Sequence, residues 1–387
     1  MKKITILISL ALIFLISFSL ISLAEDFDLD VDSTILIEAD TGQVLYEKNS
    51  QEKLPPASIT KIMTLLIAME KIENGKIALD DEITISRYAE SMGGSQIFLS
   101  ANTRVKLEDL LKAISIASAN DASVAVAEAI AGTYSNFVNM MNKKAKELGM
   151  ESTHFVNSTG LPAENGEHYS TAADIAKMSK ELVKHPLIFK WSTIWVDYLN
   201  LPNRKAMLVN TNKLINKYPG MDGLKTGHTN DAGFCLASTA QKEDMRLITV
   251  VLNADTEKER EELTIKLLDY GFNNFSKMRL VNKGEKIQSI KVPEAKETIT
   301  SGVIADELDV VVKRGSENAL KTVIEINQPI KPPVKKGEVI GRKKIIYDDK
   351  TINYVNILAA EDIEKANIFI RIWRSFVNWI GSWLKKI

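Results

Sequence analysis

The chain has 387 residues, with 49 Lys and Arg against 50 Asp and Glu, a formal net charge of −1, and apolar and charged fractions of 45% and 26%. The balance excludes the basic excess of a nucleic-acid binder, and the fractions are those of a globular protein of about two domains. Cys235 is the only cysteine and the four histidines are scattered, which excludes an intramolecular disulfide and offers no metal-ligand spacing, so neither a metal nor another cofactor is expected.

Residues 1–24 combine Lys2 and Lys3, an uncharged apolar run, and the small residues Ser22 and Ala24 before Glu25 and Asp26. This is the layout of a secretory signal peptide cut after Ala24, with an uncleaved membrane anchor as the alternative; either one exports the body of the protein. Residues 33–38 and 43–47 read as strands around the turn-rich Ala39-Asp40-Thr41-Gly42. After Pro55 and Pro56 a helix is expected from near Ser58. Ile62, Met63, Leu65, Leu66, Ile67, Ala68 and Met69 make it apolar around most of its circumference, which predicts a buried helix. Lys61 within it is costly unless paired or put to use.

Residues 107–117 and 121–131 read as helices separated by Ser118-Ala119-Asn120. Ser135 is expected to cap a helix ending at Gly149, and Ser170-Thr171-Ala172-Ala173-Asp174 has the spacing of a capping box. Residues 233–240 and 247–252 resemble paired strands, and residues 256–270 a helix. From about Met278 short alternating runs separated by glycines and prolines predict a small β domain. The tail from Ala366 places Phe369, Ile372, Trp373, Phe376 and Ile380 on one helical face, with Arg371, Arg374, Lys385 and Lys386 elsewhere. Arginines inside the apolar stretch argue against a spanning helix, whereas tryptophans with a basic face suit one lying in a membrane interface. The alternative is a terminal helix packed on its own domain. The boundaries expected are 1–24, 25–277, 278–360 and 366–387.

Three short motifs follow in order. Ser58-Ile59-Thr60-Lys61 is S-x-x-K, Ser118-Ala119-Asn120 is S-x-N, and Lys225-Thr226-Gly227 is K-T-G. Singly each is weak, and Ser58 alone reads more simply as a helix cap. Their order and placement carry the argument. Residues at i and i+3 share a helical face, so Lys61 is expected beside the Ser58 hydroxyl. A serine hydroxyl needs an adjacent base, and burial with a second cation, for which Lys225 is the candidate, depresses a lysine enough to serve. The Ser58 N–H at a helix start suits a developing oxyanion. K-T-G is expected to precede a strand along which a peptide lies, with Gly227 leaving room for the substrate backbone.

This motif set resembles the low-molecular-mass penicillin-binding proteins, the serine-type D-alanyl-D-alanine carboxypeptidases. The resemblance extends to Asp40-Thr41-Gly42-Gln43-Val44-Leu45, Phe155-Val156-Asn157-Ser158-Thr159-Gly160-Leu161, His168-Tyr169-Ser170-Thr171-Ala172 and the run from Lys225 to Ser238. It implies an α+β fold: a penicillin-binding/serine β-lactamase-like catalytic domain, with an antiparallel sheet flanked by helices and a helical subdomain, then the all-β domain and the amphipathic helix. It also implies roles. Ser58 attacks the bond between two D-alanines of a peptidoglycan stem peptide, Lys61 takes its proton, and Ser118 relays a proton to the leaving amine. Asn120 holds the substrate amide, and Lys225 and Thr226 meet the terminal carboxylate beside Gly227. The His228 N–H joins that of Ser58 at the oxyanion. Penicillins are expected to acylate Ser58, on the outer face of the cytoplasmic membrane.

A β-lactamase would need a glutamate-activated water, usually in E-x-x-L-N, and no such string occurs. A transpeptidase, passing the acyl group to an amine, and a non-enzymatic penicillin-binding scaffold are the remaining alternatives. Arg204 and Arg260 are open candidates for carboxylate binding. Cys235 is a small apolar strand residue that its nearness to the third motif marks as a target for thiol reagents.

Overall fold

Alternation of buried apolar residues on two faces sets the main sheet. The computed structural model describes residues 27–162, 167–347 and 349–384; the expected signal peptide lies outside them. The strands are β1 (Ser33–Glu38), β2 (Val44–Lys48), β3 (Glu82–Thr84), β4 (Arg104–Lys106), β5 (Val196–Leu201), β6 (Arg204–Val209), β7 (Met221–Thr229), β8 (Gly233–Lys242) and β9 (Met245–Ala254). Five of them form an antiparallel sheet in the order β2-β1-β9-β8-β7, which leaves β7 at an edge. Ile35, Ile37, Ile248 and Val250 face the large core. On the other side Leu36 and Leu247 close over Gly271 of the helix Glu257–Asn274.

The helix Lys61–Glu73 runs through the large core and is buried continuously from Lys61 to Met69. The helices Leu107–Ala117, Asn120–Ala131 and Tyr134–Glu147 surround it, contributing Leu110, Ile114, Val124 and Phe137. Thr133, not Ser135, caps the last of these, because its oxygen accepts from the Asn136 N–H. Thr171 caps the helix Ala172–Leu182 through the Asp174 N–H. The hairpin β5–β6 went unread in the sequence, because its outward residues Val196, Tyr198, Met207 and Val209 are apolar and exposed, which blurs the alternation.

The C-terminal strands are β10 (Phe275–Val281), β11 (Lys286–Lys291), β12 (Ile299–Ile304), β13 (Leu308–Lys313), β14 (Lys321–Ile326), β15 (Val339–Tyr347) and β16 (Lys350–Ala359). β10 pairs with β13, and the others form a sheet in the order β11-β12-β16-β15-β14 over a second core that includes Val281, Ile290, Ile304, Ile345 and Ile357. Lys277 of β10 joins the two parts by pairing with Glu38, Asp40 and Asp309. The helix Ile368–Leu384 exposes Phe369, Ile372, Trp373 and Phe376. Among the described residues no helix is long and apolar enough to cross a membrane.

Candidate functional site

The first motif begins in a strained turn. Ala57 holds a left-handed φ of 46°, a conformation that costs a non-glycine residue about 1–2 kcal/mol. Residues Ala57–Thr60 then form one turn of 3₁₀ helix before the α-helix starts at Lys61. In a 3₁₀ turn residues i and i+3 eclipse, and Lys61 Nζ donates to Ser58 Oγ at 2.9 Å. Ser58 does not cap either helix; Pro56 and Thr60 occupy those positions, neither with a side-chain capping bond.

Lys61 is wholly buried and also donates to the Thr159 carbonyl at 2.6 Å. Burial pushes its amine well below the ordinary lysine range, the Lys225 charge pushes the same way, and Asp121 opposes them. Thr159 is fixed by Asn157, whose Oδ1 accepts from the N–H groups of Thr159 and Gly160 and from the Thr159 hydroxyl. Gly160, at φ 78°, lies directly under the turn: a Cβ there would stand 1.7 Å from the Ala57 carbonyl oxygen. His168 braces the same turn. Its Nδ1 accepts from the Val156 N–H, which leaves Nε2 to donate to Thr60 Oγ1 at 2.8 Å. Burial, with His154 and Lys61 nearby, lowers its pKa to about 4 and keeps the ring neutral at pH 7.

Ser118 ends the helix Leu107–Ala117 in the left-handed region, at φ 61°, and is 4% exposed. The chain then turns at once into the helix Asn120–Ala131, which buries Asn120. Asn120 donates from Nδ2 to the Gly93 carbonyl at 2.7 Å, whereas its buried Oδ1 has no partner among the described residues. Asp121, also buried, accepts from the N–H groups of Ile97, Leu99 and Ala122, and so holds the 93–99 loop against the second motif.

The third motif lies within β7 rather than before a strand, at the open edge of the sheet. The turn-like Tyr218-Pro219-Gly220 upstream masked its start at Met221. Gly227 faces the nucleophile turn, and a Cβ there would meet the Pro56 carbonyl at 2.9 Å and the Ser58 nitrogen at 3.1 Å. Its missing side chain therefore makes room for protein backbone, not substrate backbone as its sequence context suggested. This approach brings the Gly227-His228 backbone against the Ser58 N–H, while the His228 ring stacks on Phe234. Thr226 donates to Thr211 Oγ1 at 2.7 Å, and the Thr211 N–H donates to Ile116, tying β7 to the helix that ends at Ser118.

Lys225 is 1% exposed and donates to the Thr226 carbonyl. Burial, and then the Arg260 charge, lower its amine to about 7. Arg260, 3% exposed, reaches Glu257 at 3.3 Å and leaves its buried Nε without a partner among the described residues. Of the two open arginines, Arg260 stands close enough to act on Lys225, whereas Arg204 stacks on Phe98 at the tip of the β5–β6 hairpin. Cys235, opposite Gly227 in the ladder, is fully buried and its thiol is pushed up to about 11, so reactivity toward thiol reagents is not expected after all. Among the described residues no His/Cys/Asp/Glu group has the arrangement to hold a metal ion.

Gly160, Thr159, Asn157, His168, Asp121 and Thr211 had no assigned role in the sequence. In the sequence the segments 155–161 and 168–172 carry only the resemblance, because the groups that Thr159 and His168 support lie far away in the chain. The chain is similar to known proteins in sequence and in fold. Residues 21–256 match the family described as D-alanyl-D-alanine carboxypeptidase, and residues 275–365 the penicillin-binding protein 5 C-terminal domain. The chain is 42% identical to the D-alanyl-D-alanine carboxypeptidase DacF of Bacillus subtilis, over 90% of each chain. Penicillin binding protein 5 from Haemophilus influenzae is similar in structure, with a TM-score of 0.80 at 31% identity over 87% of this chain and 98% of that one. Penicillin-Binding Protein D2 from Listeria monocytogenes, solved in an ampicillin-bound form, is similar at a TM-score of 0.57 and 30% identity, over 64% of this chain and 99% of that one.

Proposed function

The chain belongs to the D-alanyl-D-alanine carboxypeptidase family, and from that premise we propose that Ser58 is the nucleophile that removes the terminal D-alanine from peptidoglycan stem peptides. The observation that carries this reading is the Ser58 hydroxyl held 2.9 Å from the amine of a buried lysine whose charge is disfavoured. Neutral Lys61 accepts the hydroxyl proton as Ser58 Oγ bonds to the penultimate carbonyl carbon. The N–H groups of Ser58 and His228 receive the oxyanion. Ser118 passes a proton to the departing D-alanine amine as the C–N bond breaks, and water then hydrolyses the acyl-enzyme.

The unpaired Asn120 Oδ1 accepts from a substrate amide N–H. Lys225 and Thr226 take the terminal carboxylate, and the peptide lies along the free edge of β7. β-Lactams react at the same serine, in keeping with the ampicillin-bound relative. We divide the chain at 1–24, 25–277, 278–360 and 366–387. The enzyme works in the cell envelope, with the exposed apolar face of the helix Ile368–Leu384 lying in the outer surface of the cytoplasmic membrane.

The test is D-alanine release from a peptide ending in D-Ala-D-Ala, against one ending in D-Ala-L-Ala, with and without prior ampicillin. Release from the first alone, abolished by ampicillin, is the expected result. Transfer to an added amine without release would make the protein a transpeptidase instead, and neither reaction would leave a penicillin-binding scaffold.

Two further outcomes test the binding roles. Asn120→Ala removes one hydrogen bond to substrate and is expected to lower kcat/KM by about 10- to 100-fold, the equivalent of roughly 1–3 kcal/mol. An unchanged kcat/KM would remove Asn120 from the substrate. The second outcome concerns pH. Because Lys225 loses its proton as pH rises through about 7, kcat/KM for a carboxylate-terminated peptide is expected to fall on that side. Lys61, held by burial well below the ordinary lysine range, ceases to act as the base wherever falling pH protonates it. A profile level through the alkaline range would mean that Lys225 does not hold the carboxylate.

A further inference from the structure

The helix Ile368–Leu384 meets the β domain along a recess of about 680 Å³ whose walls include Lys291, Arg371, Arg374, Trp373 and Glu294. Arg374 is already committed. Its guanidinium donates to the carbonyls of Ala295 and Lys296 at 2.6 and 2.7 Å, and so pins the helix to the loop between β11 and β12. Lys291 and Arg371 are exposed, and neither forms an ion pair with a described residue. Glu294 is the single carboxylate on the walls, so the recess keeps an excess of positive charge.

Trp373 connects this recess to the apolar face. It is 66% exposed and shares that face with Phe369, Ile372 and Phe376, yet it also lines the cavity. If the apolar face lies in the acyl boundary, as proposed above, the recess opens at the depth of the headgroups, where tryptophan rings settle. We propose that it binds the phosphodiester headgroup of an anionic phospholipid, with Lys291 and Arg371 as the phosphate partners and Arg374 as the residue that positions them. This inference rests on the interfacial reading of the helix and adds a lipid preference to it. A soluble phosphate would satisfy the same cations, but the tryptophan on the shared margin favours a headgroup attached to a bilayer.

The experiment is co-sedimentation of the full mature chain with phosphatidylcholine vesicles, with and without phosphatidylglycerol. The wild type is expected to bind both and to prefer the anionic ones. Lys291→Ala with Arg371→Ala is expected to weaken binding to the anionic vesicles by about 10- to 30-fold, at the usual ~1 kcal/mol per juxtamembrane cation, and to leave neutral-vesicle binding and D-alanine release unchanged. Lys296→Ala with Lys365→Ala removes equal charge nearby but outside the recess, and is expected to cost much less. An equal loss in that control would mean diffuse attraction and overturn the site. Binding of soluble glycerol phosphate in the absence of vesicles as tight as binding to the anionic vesicles would overturn the lipid assignment. Vesicle binding without a phosphatidylglycerol preference defeats the recess alone, whereas no binding to either vesicle defeats the interfacial helix as well.

Discussion

Exchange of Ser58 for alanine is expected to bring D-alanine release and fluorescent-penicillin labelling to background, and Lys61→Met to slow acylation by about 10²–10⁴-fold, what a positioned base contributes. The two residues act as a unit through one 2.9 Å contact, so the double variant should be no worse than Ser58→Ala alone. Methionine has nearly the length of lysine and no charge. Burial and Lys225 both disfavour a charged amine at this place, so the exchange removes a desolvation cost and leaves the Thr159 carbonyl and the part-buried Ser58 hydroxyl short of a donor. The fold should therefore survive, which a thermal melt checks alongside the labelling rate. Labelling of Lys61→Met at the wild-type rate would mean that another group takes the serine proton.

Gly160→Ala is expected to disable the site without touching a reacting group. The new Cβ would lie 1.7 Å from the Ala57 oxygen and 2.2 Å from its carbonyl carbon, so the backbone that carries Ser58 must move. Overlap in a packed site costs about 1–3 kcal/mol, and a non-glycine residue in the left-handed region costs roughly 1–2 more. The expected outcome is a Tm lowered by roughly 5–15 °C, at about 2–4 °C for each kcal/mol, and acylation slowed further because the Ser58 N–H leaves its alignment. Gly132→Ala separates the two costs. Its φ is 75°, but nothing lies within 4 Å of the position, so it carries strain without overlap. Equal losses in the two variants would show that conformation alone, and not the support under Ala57, decides the effect.

The parts of the site that depend on short spacing were legible in the chain. Ser58 and Lys61 are three residues apart, and any helical turn puts such a pair on one face. Ser118 and Asn120 mark the short break between two clearly periodic helices, Ser118 within it and Asn120 at the start of the second. The run from Ile62 to Met69, apolar but for Thr64, reported a buried helix, since it is apolar around most of its circumference. The β domain was legible from alternation, and its family match covers residues 275–365.

What the chain alone did not carry is which distant segments meet. Gly227 reads as room for a ligand until β7 is seen against Pro56 and Ser58, and Gly160 reads as an ordinary turn until it is found beneath Ala57. Thr159, His168 and Asp121 sit 98, 108 and 60 residues from the groups they brace or oppose, and no local period encodes an interaction across such separations. The charge state of the lysines follows the same division. Lysine is the residue type that the chemistry needs, and its place in the sequence was plain. Only the closing of the core, which removes water from Lys61 and Lys225 and sets the Lys225 charge near Lys61 and the Arg260 charge near Lys225, decides that their pKa values fall.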